Sequence, residues 1–169
     1  METLYEGKFL KFVKEGKWEW VQRNNCTGVV IIIPLLDGNK TIFVEQYRPP
    51  VGRKLIEFPA GLAGDLGDED FSEAVKREMH EETGYTPDTV THLTRGPASA
   101  GLSDETLDFY LASDLRKTGK GGGDESEDID VHIVELDQIE DWLKAREDEG
   151  TMLDVKVHAG LYFLNRYRK

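Results

Sequence analysis

Between Val29 and Ile33 five β-branched residues run without a polar neighbour, the pattern of a strand buried on both faces. Asp37-Gly38-Asn39 follows as a tight turn, and Thr41 to Glu45 is expected to return as the antiparallel partner, placing this pair at the centre of a sheet. Upstream, Lys8 to Val13 and Lys17 to Gln22 are rich in aromatic and β-favouring residues around Lys14-Glu15-Gly16, which predicts an N-terminal β-hairpin. Leu55 to Phe58, Thr106 to Ser113 and Ile129 to Val134 read as further strands. Pro59-Ala60-Gly61 opens a Gly- and Asp-rich loop that ends near Asp70.

Helical signals begin at Asp70, which with Glu73 three positions later has the form of a capping box and predicts a helix to Thr83, stopped by Gly84. Ile139 to Arg146 reads as a second helix. Asp154 is placed to cap a third that turns Val155, Ala159, Tyr162 and Leu164 inward and ends on the basic Arg166, Arg168 and Lys169. Lys117 to Asp128 is a polar, Gly-rich and acidic connection. There is no internal repeat, so one domain over residues 1–169 is expected, with 1–26 as a hairpin extension and 27–169 as its core.

A chain of 169 residues can bury roughly 70% of its extended surface, enough for a core without staples. The single cysteine, Cys26, excludes an internal disulfide and cysteine-only zinc sites, and fits a reducing, cytoplasmic setting. Lys and Arg total 21 against 33 Asp and Glu, a net charge of −12 that opposes nucleic acid and anionic membranes as partners. The N-terminus lacks the pattern of a secretory signal, and the longest apolar run, Val29 to Leu36, is too short to cross a bilayer. Were the substrate a small polyanion, a divalent cation would have to bridge two negative bodies.

The first helix supplies a place for such a cation. Counting 100° per residue, Phe71, Ala74, Val75 and Met79 form one stripe, and Glu78 and Glu82 fall inside it. Burying an ionised carboxylate without a partner costs several kcal/mol, so these two require a cation. They stand one turn apart with Glu81 on the flank, a hard-oxygen set suited to Mg²⁺ or Mn²⁺. Pairing with Lys or Arg across a groove is the plainer alternative for two glutamates taken alone.

Gly61, Glu69 and Arg77-Glu78-Met79-His80-Glu81-Glu82-Thr83-Gly84-Tyr85 together resemble the signature of the Nudix hydrolases, G-x5-E-x7-R-E-U-x-E-E-x-G-U, with U apolar. The second half matches at every specified position, whereas seven residues rather than five separate Gly61 from Glu69. The resemblance implies an α/β fold, an α/β/α sandwich around a mixed sheet, and metal-dependent hydrolysis of a nucleoside diphosphate joined to another group. It further implies Glu78 and Glu82 as metal ligands, Glu81 as a ligand or auxiliary base, the carbonyl of Ala60 as another ligand, and Arg77 as the residue that orients the glutamates.

Glu45 to Gly52 and Glu57 to Leu62 are similar to stretches of the ADP-ribose (ADP-sugar) pyrophosphatase branch, which implies that Arg48 faces the substrate; pairing with Glu57 beneath the site is the alternative. Ala98 to Glu105 resembles that branch's S-P-G-x-S-D-E loop, with Ala100 where proline is usual, and makes Glu105 the candidate general base or else a solvated loop acid. Trp18-Glu19-Trp20-Val21-Gln22-Arg23 resembles a W-E-x-V-x-R stretch, which together with Phe9 implies an adenine sandwich, partly across a homodimer; the alternative is a hairpin whose aromatics cover a sheet edge. Glu127 to Val134 also follows the branch, whose preceding loop carries an acid that approaches metal. Asp124, Ser126, Asp128, Asp130 and Glu135 mimic EF-hand spacing, but Ile129 stands where that loop needs glycine. His80, His92, His132 and His158 share no ligand or triad spacing.

The expected activity is Mg²⁺-dependent cleavage of ADP-ribose or a related ADP-sugar to AMP and a sugar phosphate. The alternatives are another nucleotide substrate, such as GDP-mannose or a damaged triphosphate, and a module that binds ADP-ribose without turning it over.

Overall fold

The computed structural model describes residues 1–24, 26–64, 67, 69–123 and 128–167. The loop positions Asp124, Ser126 and Glu127 and the basic end at Arg168 and Lys169, singled out above, lie outside the described residues.

The N-terminal segment is a three-stranded antiparallel meander of β1 (Glu2–Glu6), β2 (Leu10–Glu15) and β3 (Trp18–Arg23), rather than a hairpin alone. The hairpin turn falls at Gly16, which has positive φ, and β1 adds to the outer edge of β2.

Next come β4 (Gly28–Pro34), β5 (Lys40–Arg48), β6 (Arg53–Glu57) and β7 (Ala60–Ala63). Every residue of β4 is buried, as its unbroken apolar run demands. Val29, Ile31 and Ile33 enter one core with Phe58, Phe109, Leu143 and Leu164, whereas Val30 and Ile32 enter a second with Ala74, Val75 and Met79. The expected pairing of β4 with Thr41 to Glu45 does not occur. β4 already has β7 antiparallel on one edge and β9 (Thr106–Lys117) parallel on the other, so the turn at Asp37 and Gly38 sends β5 into a different sheet. An isolated bridge, Leu36 to Lys40, closes that turn, and Thr41 Oγ1 donates to the Pro34 carbonyl at 2.8 Å.

Two mixed four-stranded sheets result. One has the order β7-β4-β9-β8, with β8 spanning Tyr85–Pro97. The other has the order β10-β5-β6-β11, with β10 at Ile129–Glu135 and the two-residue β11 at Met152–Leu153 running parallel to β6. α1 (Phe71–Thr83) covers one core, and α2 (Ile139–Asp148) and α3 (Val155–Tyr167) cover the other, an α/β/α arrangement.

Two further expectations are corrected. Ala60 to Ala63 is strand rather than loop. α3 packs through Val157, Gly160 and Leu164, while Val155, Ala159 and Tyr162 face outward. The reason is steric, since a side chain at residue 160 would overlap the Phe58 ring. The expected inward face contained Leu164 but missed both Val157 and Gly160, the latter a flat contact surface.

Candidate functional site

α1 begins as its sequence predicts: the Asp70 carboxylate accepts from the Ser72 amide at 2.7 Å, and Gly84 ends the helix in the left-handed conformation. Glu73 does not close a reciprocal capping box; it pairs with Lys76 instead. Ala74, Val75 and Met79 are fully buried, and Glu82, on the same face, is only 3% exposed. The Glu82 carboxylate accepts from the Ala60 amide at 3.2 Å. Glu78 lies one turn earlier against Gly61, so closely that a Cβ on residue 61 would land within its carboxylate. The first two residues of β7 are thus the cradle for both acids.

Arg77 organises the flank. Its guanidinium donates to Glu69 through Nε (3.0 Å) and Nη2 (3.1 Å), to the Leu62 carbonyl (2.9 Å), to Glu78 (2.7 Å) and to Glu81 (3.2 Å). Its neighbouring carboxylates push the Arg77 pKa above the usual guanidinium value, and its hydrogen bonds hold the Glu69 carboxyl below the usual carboxylate range. Glu69 therefore reaches its arginine despite the two additional residues in the preceding loop.

The residues fit a divalent cation. All donors are hard oxygens, namely the carboxylates of Glu78 and Glu82, that of the half-exposed Glu81, and main-chain oxygen at Ala60. Among the described residues no group of three or more acidic, imidazole or thiol side chains is arranged to hold a metal ion by itself. An open set of this kind leaves positions for water and phosphate oxygen, as Mg²⁺ prefers.

A cavity of about 650 Å³ opens above this cradle, and Ala60, Arg77, Glu78 and Glu81 line one side of it. Arg23, Arg48 and Glu105 line the remainder with the apolar Val29, Ile31 and Leu107. Arg48 donates through Nε to Glu57 at 2.6 Å, so it both faces the cavity and makes the pairing given above as its alternative role. Burial pushes the Glu57 carboxyl up, with Arg48 opposing the shift.

Glu105 is held by Arg23, and this contact belongs to a longer seam. The Val21 amide donates to Leu102 at 2.9 Å, the Gln22 amide group donates to Asp104, and Arg23 donates to Glu105. Three successive residues of β3 thereby fasten the loop that carries Glu105. Trp18 and Glu19 lie outside the main cavity, lining a separate groove of about 360 Å³ with Trp20 and the opposing Ala100, Gly101, Ser103 and Asp104. Phe9 is 66% exposed and borders neither space.

Lys156 was missed by the sequence reading. It lines the cavity from the first turn of α3, where it pairs with Asp154. Asp154 as the cap places Lys156 in that turn, but no local signal announces that β11 lays the turn beside Glu57.

Comparison with known proteins accords with this geometry. Residues 27–154 match the NUDIX domain model. The chain is 36% identical over 170 residues to an ADP-ribose pyrophosphatase of Bacillus subtilis, covering 96% of this chain and 89% of that one. It is 39% identical over 182 aligned residues to an ADP-sugar pyrophosphatase of Mus musculus, covering 94% and 82%. A crystal structure of an ADP compounds hydrolase superposes with a TM-score of 0.72 at 20% identity, covering 98% of this chain and 89% of that one. With the signature helix, the α/β/α layers and matched relatives in agreement, the chain belongs to the NUDIX family.

Proposed function

We propose that this Nudix hydrolase cleaves the diphosphate of ADP-ribose or a related ADP-sugar, giving AMP and a sugar phosphate. One observation carries the reading: Glu78, Glu81, Arg77 and Ala60 share a single cavity with Arg48 and Glu105, and Glu82 lies buried against Ala60. The ADP-linked substrates of the two relatives described above support the substrate class.

Glu78 and Glu82 would hold the divalent cation, Mg²⁺ or alternatively Mn²⁺, with Glu81 and the Ala60 carbonyl completing the protein's share. The chemistry supplied there by a bound cation would be charge neutralisation at the diphosphate oxygens and a lowered pKa for a water. Arg77 fixes the glutamates, and Arg48 offers its guanidinium to phosphate. Glu105, with Glu81 as the alternative, takes the proton of the attacking water as the new P–O bond forms and the bridging P–O bond breaks. Trp18, with Phe9, stacks on adenine partly across the homodimer, while Glu19 and Arg23 add polar contacts.

The chain acts as one Nudix domain with residues 1–26 as its extension. Exposed Leu4, Tyr5, Phe9, Leu10 and Trp18 on that extension support a homodimer in which it meets a second copy. No described helix is long and apolar enough to cross a membrane, and the lone cysteine supports a cytoplasmic location.

The test is incubation with Mg²⁺ and a panel of ADP-ribose, ADP-sugars, GDP-mannose and nucleoside triphosphates, quantifying nucleoside monophosphate. Highest kcat/KM for ADP-linked substrates supports the reading. Preference for GDP-mannose or a triphosphate, or tight ADP-ribose binding without turnover, overturns it.

A further inference from the structure

The last four carbonyls of a helix have no partner within it and must be satisfied from outside. In α1 these belong to His80, Glu81, Glu82 and Thr83, so two of them sit on residues assigned above to the metal. The Gly84 amide satisfies His80 at 2.8 Å, and Lys117 Nζ reaches Thr83 at 2.9 Å. The other two are met by a glycine run: the Gly123 amide donates to the Glu81 carbonyl at 3.1 Å and the Gly122 amide to the Glu82 carbonyl at 2.8 Å. Thr118 and Gly119 both donate to the Gly84 carbonyl at 2.9 Å, so the 117–123 segment closes around the end of the helix.

Such closeness requires an absence of side chains. A Cβ on Gly121 would lie 2.5 Å from the Thr83 carbonyl carbon and 2.8 Å from the Gly84 nitrogen, both main-chain atoms that cannot swing aside. Gly121 also has φ +73°, in the left-handed region. Gly119 differs, because the nearest atom to its Cβ would belong to the exposed His80 ring, at 2.6 Å, and that ring can turn away.

We infer that the glycine run 121–123 is a backbone socket for the ligand-bearing turn of α1, with Gly121 a positioning residue for the carboxylates of Glu81 and Glu82. The inference rests on the assignment of Glu82 to the metal, which its test therefore also measures. The socket acts at the main chain: it fixes the height and rotation of the last turn, and with them the direction in which the two carboxylates point. Partners that orient ligands in this way typically change metal affinity by about 10- to 100-fold when removed.

The experiment is titration of the purified full chain with Mn²⁺ alone, reading free Mn²⁺ by electron paramagnetic resonance and the melting temperature in parallel. Gly121→Ala is expected to weaken Mn²⁺ binding by at least about tenfold. Gly119→Ala should bind like the unmodified chain. Gly38→Ala, which imposes a side chain at φ +77° where nothing lies within 4 Å, should lower the melting temperature without changing Mn²⁺ affinity. If Gly121→Ala does not fold, Lys117→Met removes the donor to the Thr83 carbonyl and should weaken Mn²⁺ binding severalfold. A folded Gly121→Ala variant, or failing that Lys117→Met, with unchanged Mn²⁺ affinity overturns the inference. Glu82→Gln separates the two levels. Undiminished Mn²⁺ binding by that variant overturns the site assignment and the socket's purpose together, whereas binding lost in Glu82→Gln and kept in Gly121→Ala overturns the socket alone.

Discussion

Arg77 grips Glu69 with a guanidinium fork, Nε to Oε1 at 3.0 Å and Nη2 to Oε2 at 3.1 Å, while its remaining nitrogen, Nη1, reaches Glu78 and Glu81. Lysine cannot reproduce a planar fork with five donors. Arg77→Lys should therefore lower kcat by about 10- to 100-fold through misplaced carboxylates, with restoration at high metal concentration. The same pair carries a pH dependence. Because Arg77 depresses the folded pKa of Glu69, the folded state binds fewer protons than the unfolded state in acid. The stabilisation is present above the ordinary glutamate value of about 4.3 and is lost as pH falls through the depressed value. Urea unfolding should show Glu69→Gln less stable than the unmodified chain at pH 7, with the gap narrowing below pH 4.

Glu105 faces the cavity and is held by Arg23 from β3. A positioned general base contributes about 10²- to 10⁴-fold to rate, so Glu105→Gln should reduce kcat on ADP-ribose by that range with KM nearly unchanged. Unaltered kcat would transfer the proton-accepting role to Glu81.

Trp18 is 65% exposed, so its removal should leave the melting temperature within a degree or two while affecting substrate. Stacking of one base on an aromatic ring is worth about 1–3 kcal/mol, which predicts a rise in KM of roughly tenfold for Trp18→Ala with ADP-ribose. The same KM in both proteins would show that the groove at Trp18 covers a sheet edge and holds no adenine.

Phe58 rests directly on the backbone of Gly160. Gly160→Ala should destabilise the fold by about 1–3 kcal/mol, the usual penalty of overpacking, measurable by chemical denaturation. Stability unchanged or raised would mean that α3 can lift without cost, contrary to its close seat on β6.

The pair of acids on the packed face of α1 is legible because its signals are local. Helix periodicity put Glu78 and Glu82 among apolar neighbours, and Asp70 and Gly84 marked both helix ends as observed. What stayed hidden depends on contacts distant in sequence. Nothing near Thr41 announces that both edges of β4 are already occupied, so β5 was assigned to the wrong sheet. β8 escaped notice because most of its residues are half-buried or exposed on an edge, without clean alternation. The seam from Val21 to Arg23 joins residues 82 positions apart at its side-chain contacts, beyond the reach of any periodicity. On α3 the spacing of Val157 and Leu164 is itself compatible with the observed face, and only Gly160 is hidden, because glycine carries no hydrophobic signal although it permits the closest packing.

The most direct measurement is the initial rate of AMP formation from ADP-ribose in Mg²⁺ for the unmodified chain and Glu82→Gln. Glu82 is buried and accepts from the Ala60 amide, a geometry that glutamine can keep while losing the charge. Metal stabilisation of phosphoryl transfer is worth several kcal/mol, so the variant should be slower by more than about 10²-fold, with its fold intact by circular dichroism. A folded Glu82→Gln variant that forms AMP as fast as the unmodified chain would contradict the assignment of this helix to the metal.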